Sequence, residues 1–277
     1  MRPKFIGNRW DMIAHKADCH VVNRMSYPHN IYSQEEAIEN GYKPCQLCQP
    51  SFGKIINDVA PKIKGAIEKQ LNKYGIDHLH YMAPIENIPS ILDQGILSNK
   101  RAKHIDHKDF SDQEIQLQRK FTIMGTLRTP HDYVPLYFAT HTPMQYVITT
   151  PAFTKNRNRV TNNNDLIFIE LDAIKIFKIH GVVFTDGNVA ASRTCFCTDI
   201  ADLDELDWNT INSPNQWPYC YDSEWKRKKA SEVLVPDAIP ATFFTRIVVF
   251  SNEAIQKLSE MTNKLSKYNC SIDSSHY

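Results

Sequence analysis

The sequence predicts an α+β fold: a mixed sheet with flanking helices over residues 76–277, a small separate unit over residues 1–50, and a helical connector over residues 51–75. Three observations carry this. After residue 76, short apolar and aromatic strands alternate with helices, but without the regular βαβ rhythm of a parallel doubly wound sheet. The chain holds neither a Gly-x-Gly-x-x-Gly turn nor a Walker A loop, so any nucleotide is held by another design. Cysteines crowd the N-terminus, where 19, 45 and 48 account for three of the seven.

In the first unit, Val21-Val22 is a candidate strand, and Ser33 caps a short helix, SQEEAIEN, that Gly41 ends. Ser51 opens a lysine-rich amphipathic stretch closed by Gly75. Pro61 lies inside it, and a proline removes a helical hydrogen bond, so two helices are expected there. HLHYMA at 78–83 reads as a strand. Asn87 or Glu86 starts a helix that ends at Gly95. SDQEIQLQRK at 111–120 reads as a helix with Ser111 as its N-cap. YVPLYF at 133–138 is β-prone, and Pro143 takes the first turn of the helix after it. DLIFIEL at 165–171 is a short continuous apolar run, the mark of a buried strand. GVVFTDG at 181–187 is a strand entering a turn. Cys195 and Cys197, either side of Phe196, read as strand residues. SEVLVP at 231–236 and TRIVVF at 245–250 are late strands. NEAIQKLSEMTNKLSK at 252–267 has the best helical periodicity, and the tail CSIDSSHY is expected to fray.

Composition narrows the function classes. With 277 residues, 42% apolar content and a mean hydropathy of −0.43, the chain reads as a soluble globular protein. No apolar run approaches the roughly 18 residues of a membrane span. The start, MRPKFIGNRWDMIAHK, lacks the apolar core of a signal peptide, which predicts a cytoplasmic protein. An odd number of cysteines in that compartment argues against a disulfide framework. Net charge is +1, so any nucleic-acid surface must come from local clusters.

Cys45-x2-Cys48 sets two thiolates on one knuckle, within reach of one tetrahedral Zn²⁺ at about 2.3 Å. His15 and Cys19 stand four apart, which suits one helical turn or a tight loop. Four protein ligands make a closed, structural site with no open catalytic position. His20 and His29 are the alternatives to His15. The words HKADCHVV and SQEEAIENGYKPCQLCQP resemble the zinc module of Ada-like repair proteins; Glu36-Ala37 and Gly41-Tyr42-Lys43-Pro44 match its pattern. As a nucleic-acid contact such a module offers Lys16, Arg24 and Lys43; as a structural cap it needs none of them.

Four further stretches belong together. They are Glu114-Ile115-Gln116-Leu117-Gln118-Arg119, His131-Asp132-Tyr133-Val134-Pro135-Leu136-Tyr137-Phe138, Thr185-Asp186-Gly187-Asn188 and Ser231-Glu232-Val233-Leu234-Val235. In this order they resemble the DarT family of NAD-dependent DNA ADP-ribosyltransferases, over about residues 78–252. The resemblance implies an ADP-ribosyltransferase-like fold, with two packed central β-sheets and flanking helices. It also implies an enzyme that moves ADP-ribose from NAD to a nucleobase. Breaking the nicotinamide–ribose bond passes through an oxocarbenium-like state, which a nearby carboxylate stabilises. Glu232 takes the catalytic glutamate's place. Arg119 either holds the pyrophosphate or stabilises a deprotonating base. Tyr137 and Phe138 would wall the NAD pocket, with Met144 at its rim. Asn188 either touches substrate or shapes its turn. The family's His-bearing strand, H-[IFM]-T-H-x-[DE]-N-L, is altered here. With Asn87 aligned, Tyr81 stands in the first histidine's place and His80 falls one residue early, so either contacts NAD.

Basic clusters lie at Lys100-Arg101-Lys103, at Lys155, Arg157 and Arg159, and at Lys226-Arg227-Lys228-Lys229. The last leads directly to Glu232, as a phosphate track for a single strand would. The expected acceptor is thymine or guanine in single-stranded DNA, with RNA as the alternative, and kinship implies a toxin opposed by a macrodomain antitoxin. Two rivals are a zinc-containing nucleic-acid-binding protein without activity and an NAD hydrolase.

Overall fold

The computed structural model describes residues 3–8, 13–19, 22, 28–33, 36–37, 40, 42–45, 48, 56–111, 113–121, 128–150, 162–179, 181–213 and 222–277. Val21, the body of the Ser33 helix, residues 51–55, and the cluster Lys155, Arg157 and Arg159 lie outside them. The chain divides into two compact units, one of residues 1–75 with 174–180 and one of residues 76–173 with 181–277.

In the first unit β1 (Phe5–Asn8), β2 (Ile13–Lys16), β3 (Pro28–Ile31) and β4 (Lys43–Pro44) form a sheet in the order β3-β1-β2-β4. Phe5, Ala14, Ile31, Ala37 and Tyr42 form its core. Gly7 is required there, because a Cβ would lie 2.5 Å from the Tyr42 ring. Helix α1 (Ile56–Lys73) runs unbroken across Pro61, where two helices were expected. The proline removes only the bond to the carbonyl of residue 57, and the rest of the helical ladder continues.

The second unit holds an eight-stranded sheet. Its elements in chain order are β5 (His78–Pro84), α2 (Ile88–Gln94), β6 (Ile96–Leu97), α3 (Asn99–Ala102), α4 (Gln113–Phe121), β7 (Tyr133–Tyr137), α5 (Pro143–Thr149) and β8 (Leu166–Asp172). There follow α6 (Ala173–Phe177), most of it in the first unit, then β9 (Val183–Thr185), β10 (Phe196–Cys197), α7 (Trp208–Ile211), α8 (Ser223–Lys229) and β11 (Glu232–Pro236). The chain ends with β12 (Ala238–Ile239), β13 (Phe244–Val249), α9 (Asn252–Met261) and β14 (Cys270–Ile272). The strand order is β10-β9-β11-β7-β5-β8-β13-β14, and β12 pairs with β6 apart from it. One residue pair, His80 with Tyr137, joins β5 to β7. By contrast β5 pairs with β8 along seven residues and β11 with β7 along five. The two expected sheets are thus two four-stranded halves that meet at a single pair and splay apart beyond it, opening a cleft.

β8 is buried along nearly its whole length, as its continuous apolar pattern predicts. Its buried acid, Glu170, is 4% exposed. Arg246 donates from Nη2 and Nε to its two oxygens at 2.7 and 2.9 Å, and His276 Nε2 lies 3.0 Å from Oε1. Burial alone would raise this carboxyl, but the bonds from His276 and Arg246 outweigh it and hold it well below its usual range. The C-terminal segment does not fray. β14 pairs parallel with β13, and the Tyr277 hydroxyl donates to the Leu166 and Val248 carbonyls. Aromatic packing of Phe168 against His276 and Tyr277 anchors it. The last long helix stops at Met261, six residues before the expected end, where Thr262 turns extended and its hydroxyl accepts from the Lys264 amide.

Replacing Arg246 with Met leaves the Glu170 charge with the His276 bond alone. The expected loss is roughly 2–3 kcal/mol at neutral pH, read from urea denaturation. A lowered carboxyl stabilises above its unfolded value of about 4.3 and loses that contribution as pH falls. The gap between variant and wild type should therefore narrow below about pH 4; a gap constant with pH would contradict the assignment.

Candidate active site

Glu232 opens β11 and is 1% exposed. A carboxylate buried this far needs a counter-charge and donors for its oxygens. Arg119, near the end of α4, supplies both: Nη1 lies 3.2 Å from Oε1 and Nη2 lies 2.9 Å from Oε2, a bidentate fork. Burial works against the Arg119 charge, but Glu232 outweighs it and raises the guanidinium further. The third donor is the backbone N–H of Val189, 3.2 Å from Oε1. Two distant stretches of sequence thus converge on one carboxylate, and a third fixes its orientation.

The turn that brings Val189 there is itself clamped. Thr185 Oγ1 accepts from the Glu232 N–H at 3.1 Å and donates to the Gly187 carbonyl at 2.7 Å, tying turn to strand. Arg227 forks onto Asp186, Nη1 to Oδ1 at 3.0 Å and Nη2 to Oδ2 at 3.2 Å, while Nε donates to Glu224. The Asn188 N–H donates to the Arg227 carbonyl, and the Asn188 carbonyl accepts from Thr194 Oγ1 at 2.6 Å. A Cβ on Gly187 would meet Arg227 Nη1 at 2.4 Å and its backbone oxygen at 3.0 Å, so only glycine fits. Sequence reading singled out neither Thr185 nor Val189. The hydroxyl at the head of the Thr-Asp-Gly-Asn motif was a legible signal for the first; a backbone donor leaves none.

The cleft lies between the splayed strands. Its main chamber, about 320 Å³, is lined by Arg119, His131, Tyr133, Tyr137, Met144 and Asn188 among others. It runs on into a smaller chamber of about 160 Å³ bounded by Tyr81, Met82 and Asn87. Asn87 is fixed by a reciprocal pair with Lys108: its Nδ2 donates to the carbonyl and its Oδ1 accepts from the amide. Burial and Asp109 push the Tyr81 hydroxyl up to about 12, so it stays protonated. Burial, then the Arg119 charge, lowers the His131 imidazole, which sits 2.9 Å from Gln116 Oε1.

The structure brings Arg119, Tyr81, Asn87, Tyr137, Met144 and Asn188 to this cleft, with Glu232 directly behind Arg119. It does not bring His80 or Phe138. His80 lies edge-on to His276, and Phe138 packs edge-to-face on Trp208 with centroids 5.2 Å apart. Both border a separate hollow. The expected track from Lys226 to Lys229 is not a solvated cationic ribbon. Arg227 is committed to Asp186 and Glu224, Lys228 pairs with Asp207, and Lys229 is 2% exposed. The helix of seven residues turns successive cations to different neighbours, so a run in sequence is not a row in space.

In the first unit His15, Cys19, Cys45 and Cys48 present ligand atoms all within 4.8 Å of one another. His15 Nδ1 stands 3.4 Å from Cys19 Sγ, and the Lys16 amide donates to Cys48 Sγ. Four ligands at about 2.0–2.3 Å from one ion stand close to this far apart, so the set fits tetrahedral zinc. His29 is engaged with the Tyr42 hydroxyl at 3.0 Å. His20 lies outside the described residues.

A family model for the ssDNA thymidine ADP-ribosyltransferase DarT matches residues 80–277. A DNA ADP-ribosyl transferase–DNA ADP-ribosyl glycohydrolase fusion protein of Thermosipho africanus is 29% identical over 191 residues, 67% of this chain. The match covers 45% of that relative, so the chain spans less than half its length. The solved structure of Thermus sp. 2.9 DarT with ADP-ribosylated ssDNA superposes with a TM-score of 0.64 at 22% identity, covering 73% of this chain and 97% of that one. The NAD+ complex of the same protein gives 0.59 at 21% identity, over 73% and 98%.

Gly187→Ala should cost about 1–3 kcal/mol, the range for forcing atoms into a packed site. Combined with Arg227→Ala, which removes most of the clash, the two losses should be less than additive. Denaturant midpoints of the four proteins test this; strict additivity would mean that the turn is not clamped as described.

Proposed function

This chain belongs to the DarT family of ssDNA thymidine ADP-ribosyltransferases, and we propose that it transfers ADP-ribose from NAD to thymine in single-stranded DNA. The observation that carries the proposal is the buried Glu232 carboxylate, forked by Arg119 and set at the back of the cleft between the sheet halves. NAD occupies that cleft, with Tyr81, Asn87, Tyr137 and Met144 around it. As the ribose–nicotinamide bond lengthens, positive charge builds on the ribose, and the Glu232 carboxylate stabilises it. A ring nitrogen of the base then bonds to the anomeric carbon as nicotinamide departs, and the ring N–H proton passes to Glu232. Arg119 holds Glu232 ionised and aimed; the Val189 N–H adds a second donor to Oε1. An unstacked base reaches such a cleft without the cost of opening a duplex. The glycohydrolase carried by the Thermosipho relative is the partner activity expected to reverse the mark.

We assign the His15, Cys19, Cys45 and Cys48 cluster to one structural zinc, in a module like that of Ada-like proteins. Closed four-ligand coordination supplies folding energy to a unit whose described core is small.

Glu232→Gln keeps the shape and removes the charge. Labelling of a thymine-containing oligonucleotide with NAD, read by intact mass, should fall at least about 100-fold. The variant also leaves Arg119 without its counter-charge, so its stability should drop by roughly 2–4 kcal/mol. Near wild-type labelling would sink the catalytic assignment. For the metal, elemental analysis should find one zinc per chain, and Cys45→Ser should lose it and melt the first unit before the second. Protein purified without chelators that carries no zinc would overturn that part.

A further inference from the structure

Lys229 is buried for a reason the active site does not supply. It ends α8, three residues before Glu232, and its Nζ donates to the Ile211 and Ser213 carbonyls, both at 2.6 Å. Ile211 closes α7, so the lysine caps that helix's C-terminus. Capping uses two of the three N–H groups of an ammonium and leaves the third, with no carboxylate among the described residues to neutralise the charge. Burial pushes the ammonium down to about 8. A charge so placed is ordinarily paired.

Lys229, Ile211 and Ser213 line a wide-mouthed hollow of about 360 Å³ that shares no lining residue with the main chamber of the cleft. Across it stand Thr140 and His141, from the segment that follows β7, with Thr140 Oγ1 3.3 Å from His141 Nδ1. Its one acid, Glu170, is already engaged by Arg246 and His276. The hollow therefore offers a cation with no carboxylate partner among the described residues and the Thr140 hydroxyl, held by a His141 ring that also bonds the Tyr277 backbone; its acid is not free. That is a site for an anion with several oxygens. Three residues of chain span at most about 11 Å, which keeps Lys229 close to Glu232. A wide mouth suits a group carried on a strand better than an enclosed small molecule.

We propose that this hollow is an anion subsite that takes one phosphodiester of the acceptor strand, with Lys229 supplying the charge and Thr140, held in place by His141, a hydrogen bond. The proposal rests on the nucleic-acid reading given above. It also reassigns Lys229 from a surface track to a single built contact.

The test compares wild type with Lys229→Gln, which keeps an N–H for the helix cap, and with Thr140→Val and His141→Ala, which leave the cap untouched. Each binds a fluorescein-labelled thymine-rich single-stranded oligonucleotide, followed by anisotropy from about 50 to 200 mM salt, and NAD, followed by calorimetry. Lys229→Gln should bind the oligonucleotide about tenfold more weakly, or about 1.4 kcal/mol. Its salt slope should flatten by about 0.7, the value for one single-strand phosphate. NAD affinity should be unchanged, and Thr140→Val and His141→Ala should weaken oligonucleotide binding in the same direction. Should Lys229→Gln fail to fold, those two variants decide. Wild type that labels the oligonucleotide while the variants bind it as tightly as wild type overturns the subsite and leaves the enzymatic reading standing. Wild type that neither binds nor labels it overturns that reading, and the strand assignment with it. A loss of NAD affinity in place of oligonucleotide affinity also overturns the proposal, and gives the hollow to the dinucleotide's pyrophosphate.

Discussion

The pairing of Arg119 with Glu232 inside the protein is the constraint around which the second unit is arranged. Neither charge is tolerable there alone, because removing one leaves the other desolvated without compensation. The pair joins α4 to β11 across 113 positions of sequence. It also explains the accessory geometry. Thr185, Gly187 and Arg227 make no direct contact with the Glu232 carboxylate oxygens, yet they hold the turn whose N–H completes that carboxylate's shell. Such a shell sets orientation before any substrate arrives, which is where electrostatic catalysis gains most.

Much of this was legible in the sequence, for definite reasons. β8 and β11 announce themselves because continuous apolar runs flanked by turns have few other uses. Arg119, Glu232 and Asn188 were marked because their motifs resemble those of the DarT family; without that likeness Glu232 reads as an ordinary edge-strand glutamate. What the sequence hid was direction. Tyr137 and Phe138 are adjacent, yet the pleat sends one to the cleft and the other onto Trp208. His80 and Tyr81 part in the same way, Tyr81 toward the cleft and His80 toward the separate hollow. The short helix carrying Lys226 to Lys229 scattered a run of cations that reads as a ribbon on paper. The C-terminal segment looked polar enough to fray, but one histidine and one tyrosine at its end are enough to dock it against Phe168.

Burial therefore inverts several first impressions of charge. Of the four cations before Glu232, Arg227 serves as a structural brace, while Lys229, hidden from solvent, has no carboxylate partner among the described residues. A count of basic residues ranks the two as equals. The distinction rests on what each nitrogen touches.

The single His80–Tyr137 pair has a mechanical meaning. Two stiff plates are fastened by one rivet, and everything that gives the sheet rigidity lies on either side of it. Widening the gap breaks the one or two hydrogen bonds of that pair, a net cost of roughly 1–3 kcal/mol, and loosens the apolar cluster that Tyr137 shares with Met82 and Phe168. A dinucleotide making even a modest set of contacts meets that cost with a fraction of its binding energy. The breadth of the opening is thus governed by its occupant more than by the scaffold, and one fastener lets a rigid fold present an adjustable jaw.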